Sequence, residues 1–262
     1  MHLAALSIYP VKSCRGLALE TTALDRFGPR GDRRWMVVSP TGDMLTQREI
    51  RQMALVDVGP TAHGLRLGTA DNGVDVRTPA DTGNRLSVRV WGDRVEAVDA
   101  GDAAADWLET QLRRPCRLAF MPNDSIRRVD GAYAGSGETV SFADGFPLLL
   151  VSQASLDDLG ERLGEAVPPN RFRPNLIVAG SEPFAEDGWR RIRIGDMEFD
   201  VAKPCSRCVI PSIIQETAER DPRINRVLAG FRRRNGQIFF GQNLLYQREG
   251  ELNVGDPVEV LA

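Results

Sequence analysis

Polar and apolar positions alternate in short runs along most of the chain, and residues that favour turns break those runs at close intervals. Leu3 to Ile8 alternates loosely and reads as a strand that ends in the polar loop Tyr9-Pro10-Val11-Lys12-Ser13-Cys14-Arg15-Gly16. Gly31-Asp32-Arg33-Arg34 enters a second strand at Trp35 to Val38; strict alternation puts Arg33 and Trp35 on one face and Arg34 and Met36 on the other. Pro40-Thr41-Gly42-Asp43, Asp71-Asn72-Gly73 and Gly92-Asp93 then punctuate further strands as hairpin turns. That rhythm is typical of an all-β barrel or sandwich.

Helical spacing appears in three places. Asp102 to Arg114 carries Trp107, Leu108, Gln111 and Leu112 on one stripe, with basic residues at its end and Pro115 to stop it. After the strand Leu148 to Val151, Ser152 is an N-cap for a helix whose Leu156, Leu159 and Leu163 share a face. A third helix starts at Asp221-Pro222, with Ile224, Val227, Leu228 and Phe231 as its apolar stripe and Arg232 to Arg234 following. Trp189 to Val201 reads as a hairpin turning at Gly195-Asp196, while Ile238 to Tyr246 and Pro257 to Leu261 read as closing strands. The fold class is therefore mainly β with a few helices, an α+β chain, with a domain boundary at Pro115: residues 1–115, then 116–262. Asn123 to Glu138 is polar and glycine-rich and reads as a mobile loop.

Composition removes whole classes. A net charge of −3 argues against a sequence-independent nucleic-acid binder. No apolar run approaches the roughly 18 residues of a membrane span, and the amino terminus has no basic leader. Four unpaired cysteines do not make a disulfide framework, which points to a reducing compartment and a cytoplasmic protein. No P-loop or G-x-G-x-x-G is present, and two isolated histidines argue against a hydrolytic triad. Of 33 basic residues only Lys12 and Lys203 are lysine, so those two positions stand out.

Lys203-Pro204-Cys205-Ser206-Arg207-Cys208 concentrates two thiols, a lysine and an arginine. A thiol beside fixed positive charge ionises more easily, and the thiolate is the nucleophile and metal ligand. Spacing alone leaves several roles open. A zinc site needs more ligands than the isolated Cys14, Cys116, His2 and His63 offer. A thioredoxin-like dithiol opens a helix, but Val209-Ile210-Pro211 follows here. Two small buried cysteines are the plainest reading. A single thiolate serving a metal held mostly by other groups is the fourth. Elsewhere, Lys12 with Ser13 suits a phosphate in a turn, and Arg171-Phe172-Arg173-Pro174-Asn175 brings guanidinium to another strand entrance.

Taken together, Tyr9-Pro-Val-Lys-Ser-Cys14, Asp32-Arg33-Arg34-Trp35, Phe172-Arg-Pro-Asn175, Lys203-Pro-Cys-Ser-Arg-Cys208 and the closing Val254-Gly-Asp-Pro-Val258 resemble the MOSC-domain proteins preceded by an N-terminal β-barrel domain. This is the family of the mitochondrial amidoxime-reducing component and its bacterial relatives, and the resemblance spans essentially the whole chain. It implies a MOSC N-terminal β-barrel domain over 1–115 and a MOSC β-barrel domain over 116–262, with a molybdenum cofactor, a pterin dithiolene ending in a phosphate, between them. The resemblance makes Cys208 the thiolate ligand of the metal and the catalytic residue, and leaves Cys205 structural. Cofactor contacts carry over to Lys12, Ser13, Arg33, Arg173, Asn175, Ser206 and Arg207, with Gly145 and Phe146 contributing backbone. One position departs: Asn243 follows Gln242 where the family often has tyrosine.

The implied activity is molybdenum-dependent reduction of N-hydroxylated compounds such as amidoximes and hydroxylamino-purines, by oxygen-atom removal. The alternative is a module that binds the cofactor or carries its sulfur without turnover of its own. A separate electron-transfer protein, such as a ferredoxin, a small cytochrome b5-like haem protein or a flavin reductase, is expected as partner. Cys14 and Cys116 are too isolated to build an iron–sulfur centre, and no dinucleotide fingerprint is present. The arginine-rich surface at 232–234 is an expected docking region.

Overall fold

The computed structural model describes residues 1–135 and 137–262; Ser136, inside the expected 123–138 loop, lies outside the described residues. Among the described residues the largest sheet has nine strands. Its main order runs Val258–Val260, Arg191–Ile194, Met197–Arg207, Gln237–Leu245, Leu148–Ser152, Leu176–Ala179, His2–Ile8 and Leu17–Leu19, with the two-residue Arg233–Arg234 pairing off that path. A five-stranded sheet runs Arg85–Val90, Asp93–Asp99, Arg117–Phe120, Trp35–Val38 and Val11–Lys12. Two three-stranded sheets complete the β structure. Among the described residues the chain is mainly β with three α-helices, and the expected barrels are sheets whose strand order stays open.

The chain passes between the two large sheets where the chemistry was expected. His2–Ile8 pairs with Leu176–Ala179, and after Tyr9-Pro10 the next two residues pair in parallel with Trp35–Val38 of the other sheet. Proline cannot supply a ladder N–H and fixes its own φ, so Pro10 suits the crossing. Lys12 is thereby carried from one sheet to the edge of the other. In the return direction Arg117–Phe120, just past the helix, pairs with Trp35–Val38.

Three helices, α1 (Asp102–Leu112), α2 (Gln153–Leu163) and α3 (Arg223–Phe231), stand close to their expected places. α1 ends at Arg113, which takes the left-handed conformation that Pro115 then makes terminal. Ser152 caps α2, its hydroxyl accepting from the Ser155 N–H. α2 links the parallel strands Leu148–Ser152 and Leu176–Ala179, the crossover such a pair requires. Its Leu156 and Leu159 pack with Val151, Phe172, Ile224 and Phe240, each leucine contributing about 1.5–3 kcal/mol by burial.

Alternation fails at one informative place. Arg33 adopts φ 46° and therefore stands outside the strand, turned away from the face of Trp35. Trp35 joins the core of Val37, Leu108 and Leu118, whereas Met36 packs with Phe27 and Met121 on the other side. The arginine run after α3 also departs from expectation. Arg232 is buried, bonding to the Phe239 carbonyl and to Asp187, so the surface there offers only Arg233 and Arg234. Among the described residues no helix is long and apolar enough to cross a membrane.

Candidate functional site

Lys12, Ser13, Arg33, Gly145, Phe146, Arg173, Asn175, Ser206, Arg207 and Cys208 all line one cleft of about 880 Å³, its open mouth included. They arrive from the chain crossing at 9–13, from the turns before Trp35, Leu148 and Leu176, and from the end of the Met197–Arg207 strand. Five cations line it, Lys12, Arg33, Arg48, Arg173 and Arg207, against the single carboxylate of Asp144. Ser13, Arg33, Trp91 and Arg173 line it with positive φ of 69°, 46°, 54° and 57°. Such backbone costs of order 1 kcal/mol or more for a residue with a Cβ, and it gathers where surrounding structure aims side chains at a site.

Tyr9 is the hub of the cationic wall. Its buried ring meets two guanidiniums, that of Arg33 at 4.5 Å and that of Arg173 at 4.1 Å from its centroid. Asp32, fully buried, accepts from the Tyr9 N–H at 2.8 Å and from Arg33 at 2.6 Å, which neutralises one of the two charges. Arg173 has no carboxylate partner: Nη1 donates to the Cys14 carbonyl at 2.8 Å, and Nη2 is buried with no hydrogen-bond partner. Burial pushes the Arg173 guanidinium down to about 10. Arg207 donates to the Phe172 carbonyl at 2.8 Å, while its Nε is also buried without a partner.

Lys12 is buried and donates to the Phe142 carbonyl at 2.7 Å and to Asp144 at 2.6 Å. Burial draws its pKa down, with the Asp144 carboxylate opposing. Asn175 is committed to the protein on both sides of its amide. Oδ1 accepts from the Leu149 N–H and from Arg33, and Nδ2 donates to the Ser7 carbonyl. It fastens three strands and the Arg33 side chain together while lining the cleft. A Cβ placed on Gly145 meets no atom within 4 Å, which leaves the backbone there open to the cleft.

The two cysteines differ in a way spacing did not show. Cys205 and Arg207 lie two apart near the end of the Met197–Arg207 strand, beside a register shift between Pro204 and Ser206. The guanidinium therefore reaches back to Cys205 Sγ at 3.0 Å. The direct guanidinium contact in the motif is thus to its first sulfur. Cys208 lies beyond the strand end, where its Sγ accepts the Ile210 N–H at 3.5 Å and its carbonyl accepts from Asn225 at 2.8 Å. Both thiols are half-buried, whereas Cys14 and Cys116 are buried, and burial pushes them up to about 12 and about 11. Among the described residues no three His, Cys, Asp or Glu side chains gather into a metal set, and Cys205 sits in a strand rather than opening a helix. Neither the zinc nor the thioredoxin reading survives those placements.

Lys203 does not line the cleft; its ammonium sits 4.5 Å from the Tyr133 ring and 5.6 Å from that of Phe146. Asn243 does line it, with Nδ2 donating to the Lys203 carbonyl. Sequence reading missed Gln47, Arg48, Trp91 and Asp144. Gln47 is fully buried, donates to the Ser13 carbonyl at 2.7 Å, and exchanges hydrogen bonds with the amide of Gln215. Trp91 donates to Asp144 at 3.2 Å. The one available signal was a tryptophan at a tight hairpin turn, where glycine or asparagine is usual.

This is the site of a two-part family. Residues 1–115 match the MOSC N-terminal beta barrel domain, and residues 137–259 match the MOSC domain. The chain belongs to the MOSC-domain proteins that carry that N-terminal domain. It is 33% identical over 280 residues to the mitochondrial amidoxime-reducing component 1 of Mus musculus, covering 99% of this chain and 82% of that protein. The Homo sapiens protein of the same name is 32% identical at the same coverage. A molybdenum cofactor sulfurase from Oryza sativa is 29% identical over 96% of this chain, which corresponds to 33% of that longer protein.

Proposed function

We propose that this chain is a molybdenum-cofactor-dependent reductase of N-hydroxylated compounds, amidoximes and hydroxylamino-purines among them. The observation that carries the reading is the pair of buried, unpartnered guanidinium donors, Arg173 Nη2 and Arg207 Nε, in a cleft that also presents the half-buried thiol of Cys208. An unpaired donor on a charged group costs about 1–3 kcal/mol, and an anionic group bound in the cleft removes that cost. The donor set fits a phosphorylated pterin: cations with the hydroxyls of Ser13 and Ser206, open backbone at Gly145, and the soft sulfur of Cys208. Similarity to the amidoxime-reducing components supports the choice of reaction.

Under this reading Lys12, Ser13, Arg33, Arg173, Ser206 and Arg207 hold the pterin and phosphate, the backbone of Gly145 and Phe146 lies against them, and Cys208 Sγ ligates the metal. The cofactor supplies two-electron redox chemistry at the metal. The net reaction takes R–C(NH2)=N–OH with two electrons and two protons to R–C(NH2)=NH and water. The chain's own share is positional. Asn175 and Asp32 fix Arg33, the Tyr9 ring packs against both Arg33 and Arg173, and the Ile210 N–H with Asn225 fixes the turn that bears Cys208. Electrons come from a separate electron-transfer protein.

A second reading, a module that binds the cofactor or carries its sulfur without turnover, is favoured by the likeness to the cofactor sulfurase over nearly the whole chain. Steady-state assay of cofactor-loaded protein with a chemical reductant and benzamidoxime separates the two. Sustained release of benzamidine supports the reductase; loaded protein that yields none supports the carrier.

A further inference from the structure

Arg48 differs from the other cations of the cleft. Lys12, Arg33, Arg173 and Arg207 each donate to protein carbonyls or carboxylates. Among the described residues the Arg48 guanidinium makes no hydrogen bond or salt bridge; it is exposed and stacks on the Trp91 ring at 4.3 Å. Its base is fixed, because its backbone N–H donates to Thr46 Oγ1 and the preceding Gln47 is fully buried.

Trp91 is held as firmly. It occupies a two-residue hairpin loop, between Val90 and its partner Asp93, with φ 54°. That conformation suits glycine, yet the position carries a large ring left 37% exposed. The indole N–H donates to Asp144, whose carboxylate also accepts from buried Lys12. The ring is thus tied to the exposed carboxylate of Asp144 in the cleft lining while contributing little to the core. A strained, exposed aromatic bearing a free guanidinium plane suits recognition of a ligand from solvent better than packing.

Building on the reductase reading, we propose that Arg48 and Trp91 form a substrate rim that selects planar N-hydroxylated aromatics bearing a carboxylate or similar anionic substituent away from the N–O group. The flat guanidinium–indole stack faces the ring system, and the unpaired guanidinium N–H groups take the anion. Asp144, pinned by Lys12 and Trp91, sets the position of the stack and repels substrates whose anion enters first.

The test compares 4-carboxybenzamidoxime with benzamidoxime on the loaded enzyme, for wild type, Arg48→Gln and Trp91→Ala. Arg48→Gln lowers kcat/KM for the carboxylated substrate by about 5- to 10-fold more than for the neutral one, mostly through KM, and 1 M salt erases about the same preference in wild type. Trp91→Ala weakens both substrates and abolishes the difference between them. Equal losses on both substrates in Arg48→Gln, or none, overturn the rim. Calorimetric titration with 4-carboxybenzamidine, which has no N–O bond to reduce, keeps the two readings distinguishable. Weaker binding to Arg48→Gln than to wild type supports the rim even in protein that reduces neither amidoxime, and equal binding refutes it even in protein that reduces both.

Discussion

Replacing Arg173 by methionine and Asn175 by alanine separates a residue held ready for a ligand from one that holds the protein together. The fall of the Arg173 guanidinium from its ordinary value to about 10 corresponds to about 3 kcal/mol of buried-charge cost, at roughly 1.4 kcal/mol per pH unit. At pH 7 the group is charged in the folded and unfolded chain alike, so the cost stands in full and is relieved only as pH climbs through the folded value toward that of a free guanidinium. Arg173→Met removes the cost but strands the Cys14 carbonyl, about 1–3 kcal/mol, and loses the stack on Tyr9, about 0.5–1 kcal/mol. The net change in the cofactor-free protein is within about 1.5 kcal/mol of zero, and Tm stays within about 6 °C at roughly 2–4 °C per kcal/mol. Cofactor affinity, by contrast, falls roughly 10- to 100-fold with the loss of one charge-assisted donor. Asn175→Ala behaves the opposite way. It loses the bonds to Leu149, Ser7 and Arg33, about 3 kcal/mol in all, so Tm falls by roughly 6–12 °C. Thermal melts of cofactor-free protein, paired with cofactor content after gel filtration of loaded protein, read both effects. An Arg173→Met protein that keeps its cofactor, or one that melts as far below wild type as Asn175→Ala, refutes the reasoning.

Three further outcomes are expected. Cys208→Ala abolishes reduction and removes one sulfur from the metal's coordination shell by X-ray absorption, while Cys205→Ala retains much of the activity; the reverse pattern assigns the ligand to Cys205. Alkylation at pH 8, followed by peptide mapping, labels half-buried Cys205 and Cys208 but spares Cys14 and Cys116. Burial raises the latter pair to about 12 and about 11, leaving roughly 10²- to 10³-fold less thiolate than an ordinary cysteine offers at that pH; labelling of all four sites in native protein contradicts their placement. Loaded protein given NADH, an amidoxime and no other protein shows no sustained turnover, and multiple turnovers there rule out the need for an electron-transfer partner.

Most elements were legible because their signals are local. Leu156 and Leu159 with a Ser152 cap, or Gly195-Asp196 between alternating strands, carry their structure in a few adjacent residues. The site was legible in its loops, since each basic or thiol-bearing run stands at the entrance or the end of a strand. Three things were hidden. The bulge at 204–206 decides which sulfur Arg207 meets, and a bulge leaves no mark on alternation. The positive φ of Arg33 takes it out of the strand its neighbours define. Gln47, Arg48, Trp91 and Asp144 share no periodicity and meet only because the sheets bring three separate turns to one cleft. Whether Asn175 touches a ligand or braces the scaffold is likewise a matter of which donors its neighbours leave free.

The most direct test of the account is elemental analysis of this chain produced in a host that makes the molybdenum cofactor, with phosphate and pterin measured in the same sample. The account predicts molybdenum and pterin at stoichiometric levels in wild type, and their joint loss in a protein carrying both Arg173→Met and Lys12→Met that still folds. Wild-type protein that binds zinc in place of molybdenum, or carries no metal and no pterin at all, contradicts it.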